Sequence, residues 1–359
     1  MDLTPMGLRR KPFRSTPDTE CYYASSSHEN ALAELNQFLL DSEPIALLTS
    51  EPGLGKTLAG YRLLENLPTG YRAVLLTNSH LRKRVDLYQA MLFDLAIPYH
   101  RLTEQEARLA WVESCLNYYQ SGGQTLIVID EAHHLSPDTL EELRLLSNLD
   151  GKESKAVQIL LLGLPELLQT LQQPAFNHLR QRVVTKCHLE PLTEEESIDF
   201  LCHQVRVCGG KPERFFEEEV LEILVHCCKG VPRLLNQAAA LATKLALLND
   251  CITVDVEAAL EAVNRLGLDQ EPPASQVDTE PELYPIAEMV SHSEPPMAED
   301  VLDDLPPKTI PFLPPVILPI DGPPTYSFSG SDEPDGPELI GPKRPGRVDL
   351  WGQSLDRYA

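Results

Sequence analysis

Eight consecutive residues, Ser50-Glu-Pro52-Gly53-Leu54-Gly55-Lys56-Thr57, join two glycines, a lysine and a hydroxyl at the spacing of a phosphate cradle. The pattern G-x-x-x-x-G-K-[ST] is met at every position but the first, where Ser50 stands in place of glycine. Gly53 and Gly55 tolerate positive φ and carry no side chain to obstruct, so the backbone from Ser50 to Leu58 folds into a nest of N–H groups. A helix beginning at this point adds its unpaired N–H groups and its dipole, both of which favour an anion. Lys56 then reaches the β- and γ-phosphates, and the Thr57 hydroxyl ligates Mg²⁺. Ser50 is small enough to leave the loop open. The plain alternative is a Gly-rich turn before a helix. A buried strand ahead of the motif and a helix behind it favour the cradle.

A second reactive group lies roughly 75 residues downstream, where Thr125-Leu-Ile-Val-Ile-Asp130 is followed by Glu131-Ala-His133-His134. Ligands of a parallel sheet gather at the carboxyl ends of its strands, so Asp130 and the cradle are expected to meet there. Asp130 suits the water shell of Mg²⁺, and Glu131, one residue beyond it, suits a general base that polarises the attacking water. An ordinary solvated strand end is the alternative for either acid taken alone. Of the two histidines, one is expected to pack and the other to face solvent or the nucleotide edge. The letters D-E-A-H also occur in helicases, but the rest of the chain leaves no room for a second α/β core.

Apolar runs at 44–49, 71–77, 125–130, 157–162 and 183–189 read as buried strands, with helical patterns at 27–40, 57–67, 81–96, 103–120 and 137–149. Strands alternating with helices predict a parallel sheet covered on both faces. Past Thr193 only helical patterns remain, at 193–207, 216–229, 232–248 and 254–266. Thr193-Glu-Glu-Glu196 reads as a capping box, and Thr253 or Asp255 as the cap of the last helix. The fold class expected is an α/β P-loop NTPase: a parallel five-stranded sheet with helices on both faces, a small all-α subdomain and a Pro-rich acidic tail. The domains are an N-terminal segment 1–26, a nucleotide-binding domain 27–190, a helical lid 191–268 and the tail 269–359.

The 359 residues carry 54 acidic and 30 basic side chains, a formal charge of −24. That excludes a protein made mainly to coat nucleic acid. The tail holds 18 of the acidic residues, 5 of the basic ones and 18 of the 31 prolines. Such a segment cannot bury enough apolar surface to offset its ordering entropy and is expected to be disordered. No run approaches a membrane span, no apolar stretch follows the basic N-terminus as in a signal peptide, and the eight cysteines form no C-x₂-C pairs. A soluble, cytoplasmic protein with reduced thiols is expected.

Four passages together resemble the AAA+ ATPases of the ExeA type, the general secretion pathway A ATPases, which are relatives of the TniB and MuB transposition ATPases. They are Pro12-Phe-Arg-Ser-Thr-Pro-Asp18 with Tyr22, Tyr23 and Ser27-His28-Glu29-Asn-Ala31-Leu32; the cradle with Asp130-Glu131-Ala132-His133; Gln158-Ile-Leu-Leu-Leu-Gly163-Leu164-Pro165-Glu166-Leu167; and Gly230-Val-Pro232-Arg233-Leu-Leu-Asn236. The likeness spans 12–266. It implies that Arg233 is the lid arginine sensing the γ-phosphate; an arginine capping its own helix or pairing with Glu222 is the alternative. It implies that His178-Leu-Arg180-Gln-Arg182 presents a finger arginine to a neighbouring subunit, with the choice between Arg180 and Arg182 open. Asn78 would orient Glu131, or else is a strand-end turn residue. One departure stands out: the family has a polar residue where this chain has Leu164, which makes slow or partner-dependent hydrolysis a reading in its own right.

The expected activity is Mg²⁺-dependent ATP hydrolysis in a homo-oligomer that drives or switches assembly of a partner complex. Secretion ATPases of this type continue into a membrane span and a peptidoglycan-binding module, and neither is expected here. Lys343 to Tyr358, where basic and aromatic residues return, reads as a peptide that docks on a protein partner, with the Pro-rich stretch as tether. Two alternatives stay open: ATP-dependent DNA binding through Arg9-Arg10-Lys11 with Arg14 and Arg82-Lys83-Arg84, and a nucleotide-gated scaffold with little turnover.

Overall fold

Strand β1 (Ile45–Ser50) shows why the sheet must be covered twice. All six of its residues are buried, with Ile45 and Leu47 packed into one apolar cluster and Ala46 and Leu48 into another. Strands β3 (Gln124–Ile129) and β4 (Val157–Gly163) alternate in the same way, Ile127 and Ile159 against Val128 and Leu160. With β2 (Tyr71–Leu76) and β5 (Val183–Leu189) they form the expected five-stranded parallel sheet, in the order β2-β3-β4-β1-β5. The computed structural model describes residues 6–77, 81, 83–151 and 154–269.

Helices α1 (Ser26–Leu40) and α2 (Lys56–Glu65) supply one face, through Leu35, Phe38, Leu39, Ala59 and Leu63. The opposite face is covered by α3 (Arg84–Asp94), α4 (Glu104–Gln120) and α5 (Pro137–Leu146), which bury Tyr88, Met91, Trp111 and Leu143. Two short helices precede β5: α6 (Glu166–Gln172) and α7 (Asn177–Arg180). They were not foreseen, because seven and four residues are too few for a helical period to register.

After β5 come α8 (Glu194–Val207), α9 (Pro212–Phe215), α10 (Glu218–Cys228), α11 (Pro232–Leu248) and α12 (Val256–Arg265). They share a third core, into which the N-terminal segment inserts Met6, Leu8 and Phe13. Phe13 lies about equally far from Phe215 and Phe216, with ring centroids 6.1 and 6.0 Å away. Thr193 and Glu196 form the anticipated capping box on α8, and Asp255, not Thr253, caps α12; such caps contribute about 1 kcal/mol each. Among the described residues no helix is long and apolar enough to cross a membrane.

Candidate active site

The site is assembled where β1 and β3 end side by side across β4. Beyond Ser50 the chain turns through Gly53 (φ 88°) and Gly55 (φ 97°) into α2. Both angles lie in the left-handed region that glycine enters without penalty. Space is short as well: a Cβ on Gly53 would stand 3.0 Å from the Cβ of Arg233. Leu54 points inward and is buried, which anchors the middle of the loop to the core shared by α1 and α2. Pro52 and Glu51 are exposed, and Leu58 is half-buried on α2.

Lys56 is buried and folds back into the loop. Its Nζ donates to the Ser50 carbonyl at 2.8 Å, to the Ser50 hydroxyl at 3.2 Å and to the Glu51 carbonyl at 3.3 Å. The residue that departs from the pattern therefore gives the ammonium a resting partner that glycine lacks. Burial holds the Lys56 pKa below its ordinary value, opposed by the carboxylates of Glu131 and Asp130 and assisted by the nearby Arg233 cation.

Thr57 closes the gap between loop and strand end. Its hydroxyl donates to Asp130 Oδ2 at 2.7 Å. Asp130 is 5% exposed, its backbone N–H pairs with the Leu76 carbonyl, and its other carboxylate oxygen takes the Glu131 N–H at 2.9 Å. A hydroxyl and a buried carboxylate in contact form the hard-oxygen donor set that Mg²⁺ takes, so these residues fit the ion. Glu131 has φ 51° and turns its half-exposed carboxylate out of the strand. Its Oε2 lies 3.5 Å from His133 Nδ1, and that nitrogen accepts the Leu164 backbone N–H at 3.4 Å. Burial and the neighbouring His134 keep the His133 pKa low. As expected of the pair, His133 is nearly buried and His134 exposed.

Known proteins resemble this chain in sequence and in fold. Residues 40–171 match the family described as AAA domain. This span is similar to AAA domains. The chain is 35% identical over 231 residues to General secretion pathway protein A of Aeromonas hydrophila, covering 64% of this chain and 42% of that protein. The resemblance to ExeA-type ATPases therefore holds, although the chain spans less than half the length of this relative. Among solved structures, Cdc6p from Pyrobaculum aerophilum superposes with a TM-score of 0.59 at 19% identity, over 74% of this chain and 71% of that one. ORC1 of Aeropyrum pernix, solved in complex with DNA, gives 0.53 at 17% identity over 68% and 67%. Both show the same fold.

The helical elements reach the loop 50–57 at the start of α11. The Arg233 backbone N–H donates to the Gly53 carbonyl at 3.2 Å, and the Arg233 side chain is exposed. Arg180 and Arg182 lie elsewhere. Val183 pairs with Ile45 and Leu189 with Ser50, so both arginines sit at the end of the sheet opposite the loop. Asn78, Arg82 and residues 270–359 lie outside the described residues. Of the basic cluster near the N-terminus, Arg10 is paired with Glu20 at 2.6 Å and Arg14 with Asp18 at 3.4 Å. Sequence reasoning passed over two residues beside the site. Tyr61, one helical turn past Thr57, has its pKa raised by burial and by Asp130. His28 touches the loop from α1, and the only signal for it was its place in the Ser27-His28-Glu29 passage.

Proposed function

We propose that this chain binds ATP with Mg²⁺ at the loop 50–57 and hydrolyses it, at a site completed by a second copy of the chain. The observation that carries the reading is the 2.7 Å bond from Thr57 to Asp130, which joins a phosphate cradle to a buried carboxylate beside the half-exposed carboxylate of Glu131. Thr57 and Asp130 would hold Mg²⁺, which when bound offsets charge on the β- and γ-phosphates. Lys56 exchanges its loop carbonyls for phosphate oxygens, a small movement because it already lies within the cradle. Water attacks the γ-phosphorus as the bond to ADP breaks, and Glu131 accepts the water's proton. Arg233, tied by its backbone to Gly53, follows the loop and reports the γ-phosphate to α11.

General secretion pathway protein A is a secretion protein by name, and the likeness supports a role in driving or switching assembly of a partner complex. The test uses the full chain. Glu131→Gln is expected to bind Mg-ATP as wild type does in calorimetry while turnover falls about 10²–10⁴-fold. Lys56→Ala is expected to lose binding. Equal turnover in wild type and Glu131→Gln would remove Glu131 from the chemistry, and absence of binding heat in wild type would remove the reading altogether.

A further inference from the structure

One buried side chain against the loop is left unused by this mechanism. His28, in the first turn of α1, is 5% exposed. Its Nδ1 lies 2.7 Å from the Ser25 hydroxyl, whose oxygen also takes the His28 backbone N–H at 3.4 Å as the cap of α1. The Leu54 carbonyl, in the middle of the loop, lies near enough to the imidazole to favour its protonated form. A Cβ built on Gly55 would stand 2.8 Å from Nε2, so this ring nitrogen lies directly against the loop backbone. A carbonyl only accepts, so the tautomer that suits both neighbours has the proton on Nε2, on the loop side, and Nδ1 accepting from the Ser25 hydroxyl. In that tautomer each ring nitrogen has a polar neighbour, Ser25 on one side and the loop backbone on the other.

The same helix end is fastened to the helical elements. The Ser26 N–H donates to Glu196 at 2.8 Å, and Glu196 also takes the Thr193 N–H at 3.1 Å in the capping box of α8. The Ser27 hydroxyl accepts the Glu190 N–H at 2.9 Å. Three successive residues thus face the start of α8 on one side and the phosphate loop on the other. On the loop's far flank, Gly53 is held by Arg233 of α11.

We propose that His28 is a positioning residue that fixes the phosphate loop in its binding conformation, by donating from Nε2 to the Leu54 carbonyl, and that it couples the loop to α8. The proposal rests on the nucleotide reading above. A histidine that merely filled space would do neither, and substitutions that keep or remove the donor distinguish the cases. His28→Leu keeps the volume without a donor, and His28→Gln keeps a donor that can reach a carbonyl.

The experiment measures three properties of the full chain: cooperative thermal unfolding, hydrogen exchange of the amides at 53–57 without nucleotide, and the Kd for Mg-ATP. His28→Leu is expected to melt cooperatively, to exchange about fivefold faster at 53–57 and to bind Mg-ATP about tenfold more weakly. His28→Gln is expected to recover most of both losses. With saturating Mg-ATP, amides at 190–197 gain protection in wild type and do not in His28→Leu. Should His28→Leu not fold, His28→Asn, one methylene too short to reach the carbonyl, takes its place. Wild-type exchange and affinity in the donor-less variant, or a Gln variant no better than Leu, would overturn the proposal. Failure of wild type to bind ATP would sink the nucleotide reading instead, leaving loop exchange in Leu against Gln to decide what His28 does.

Discussion

Proton binding at single residues gives this site a stated acid limit. His28 and His133 are both held below the ordinary imidazole value of 6.5, chiefly by burial. Glu196 and Glu29 oppose this at His28, and Glu131 and Glu166 oppose it at His133. A depressed imidazole pKa means that the unfolded chain takes up protons first as pH falls. The folded state therefore loses stability from the ordinary value downward, until the depressed values are reached. Between about pH 7 and about pH 5 the melting temperature of the wild-type chain is expected to fall, and His28→Gln to lose part of that slope because glutamine does not titrate there. An identical slope in the two proteins would mean that His28 carries the proton as readily folded as unfolded.

At the scale of elements, glycine positions separate backbone strain from steric contact. Gly55 and Gly122 have nearly the same φ, 97° and 90°. A Cβ on Gly122 would meet nothing within 4 Å, whereas one on Gly55 would strike His28 Nε2 at 2.8 Å. Gly122→Ala is expected to cost only the left-handed penalty, about 1–2 kcal/mol, with Mg-ATP affinity unchanged. Gly55→Ala adds the collision and is expected to cost more and to abolish binding. Unfolding curves and calorimetry on the two variants check this, and equal costs would show that the loop yields freely. The same contrast explains how much could be read from sequence. The sheet was legible because strands covered on both faces must be apolar throughout, as Ile45 to Leu48 and Leu126 to Ile129 are. The cradle and the acidic pair were legible because each is contiguous. The Thr193 box followed from two residues three apart. His28 against Leu54 and His133 against Leu164 were not legible, since each contact joins segments that only the folded topology brings together. Nor were α7 and α9, four residues each.

For the whole molecule, sheet direction limits which arginines can serve one active site. The strands run parallel, the loop follows Ser50, and Arg182 immediately precedes Val183 at the opening of β5. The seven residues of β5 separate those ends by about 20 Å at ~3.3 Å per residue, beyond the reach of any side chain. Arg180 and Arg182 therefore cannot touch phosphate bound by their own chain. If either neutralises transition-state charge, it does so in a neighbouring copy, and the active unit is an oligomer in which each site draws on two chains. Complementation tests this directly. A chain with Lys56→Ala and a chain with Arg180→Ala and Arg182→Ala are each expected to be inactive alone. Mixed in equal amounts and allowed to exchange, they form sites that pair an intact cradle with an intact neighbouring arginine. Random mixing makes about a quarter of all sites complete, so activity per total chain is expected to recover to about a quarter of wild type. The two single arginine variants, mixed in the same way, identify which arginine acts. A mixture as inactive as its parts, under conditions where the chains demonstrably exchange, would mean that no arginine of this pair acts across the interface.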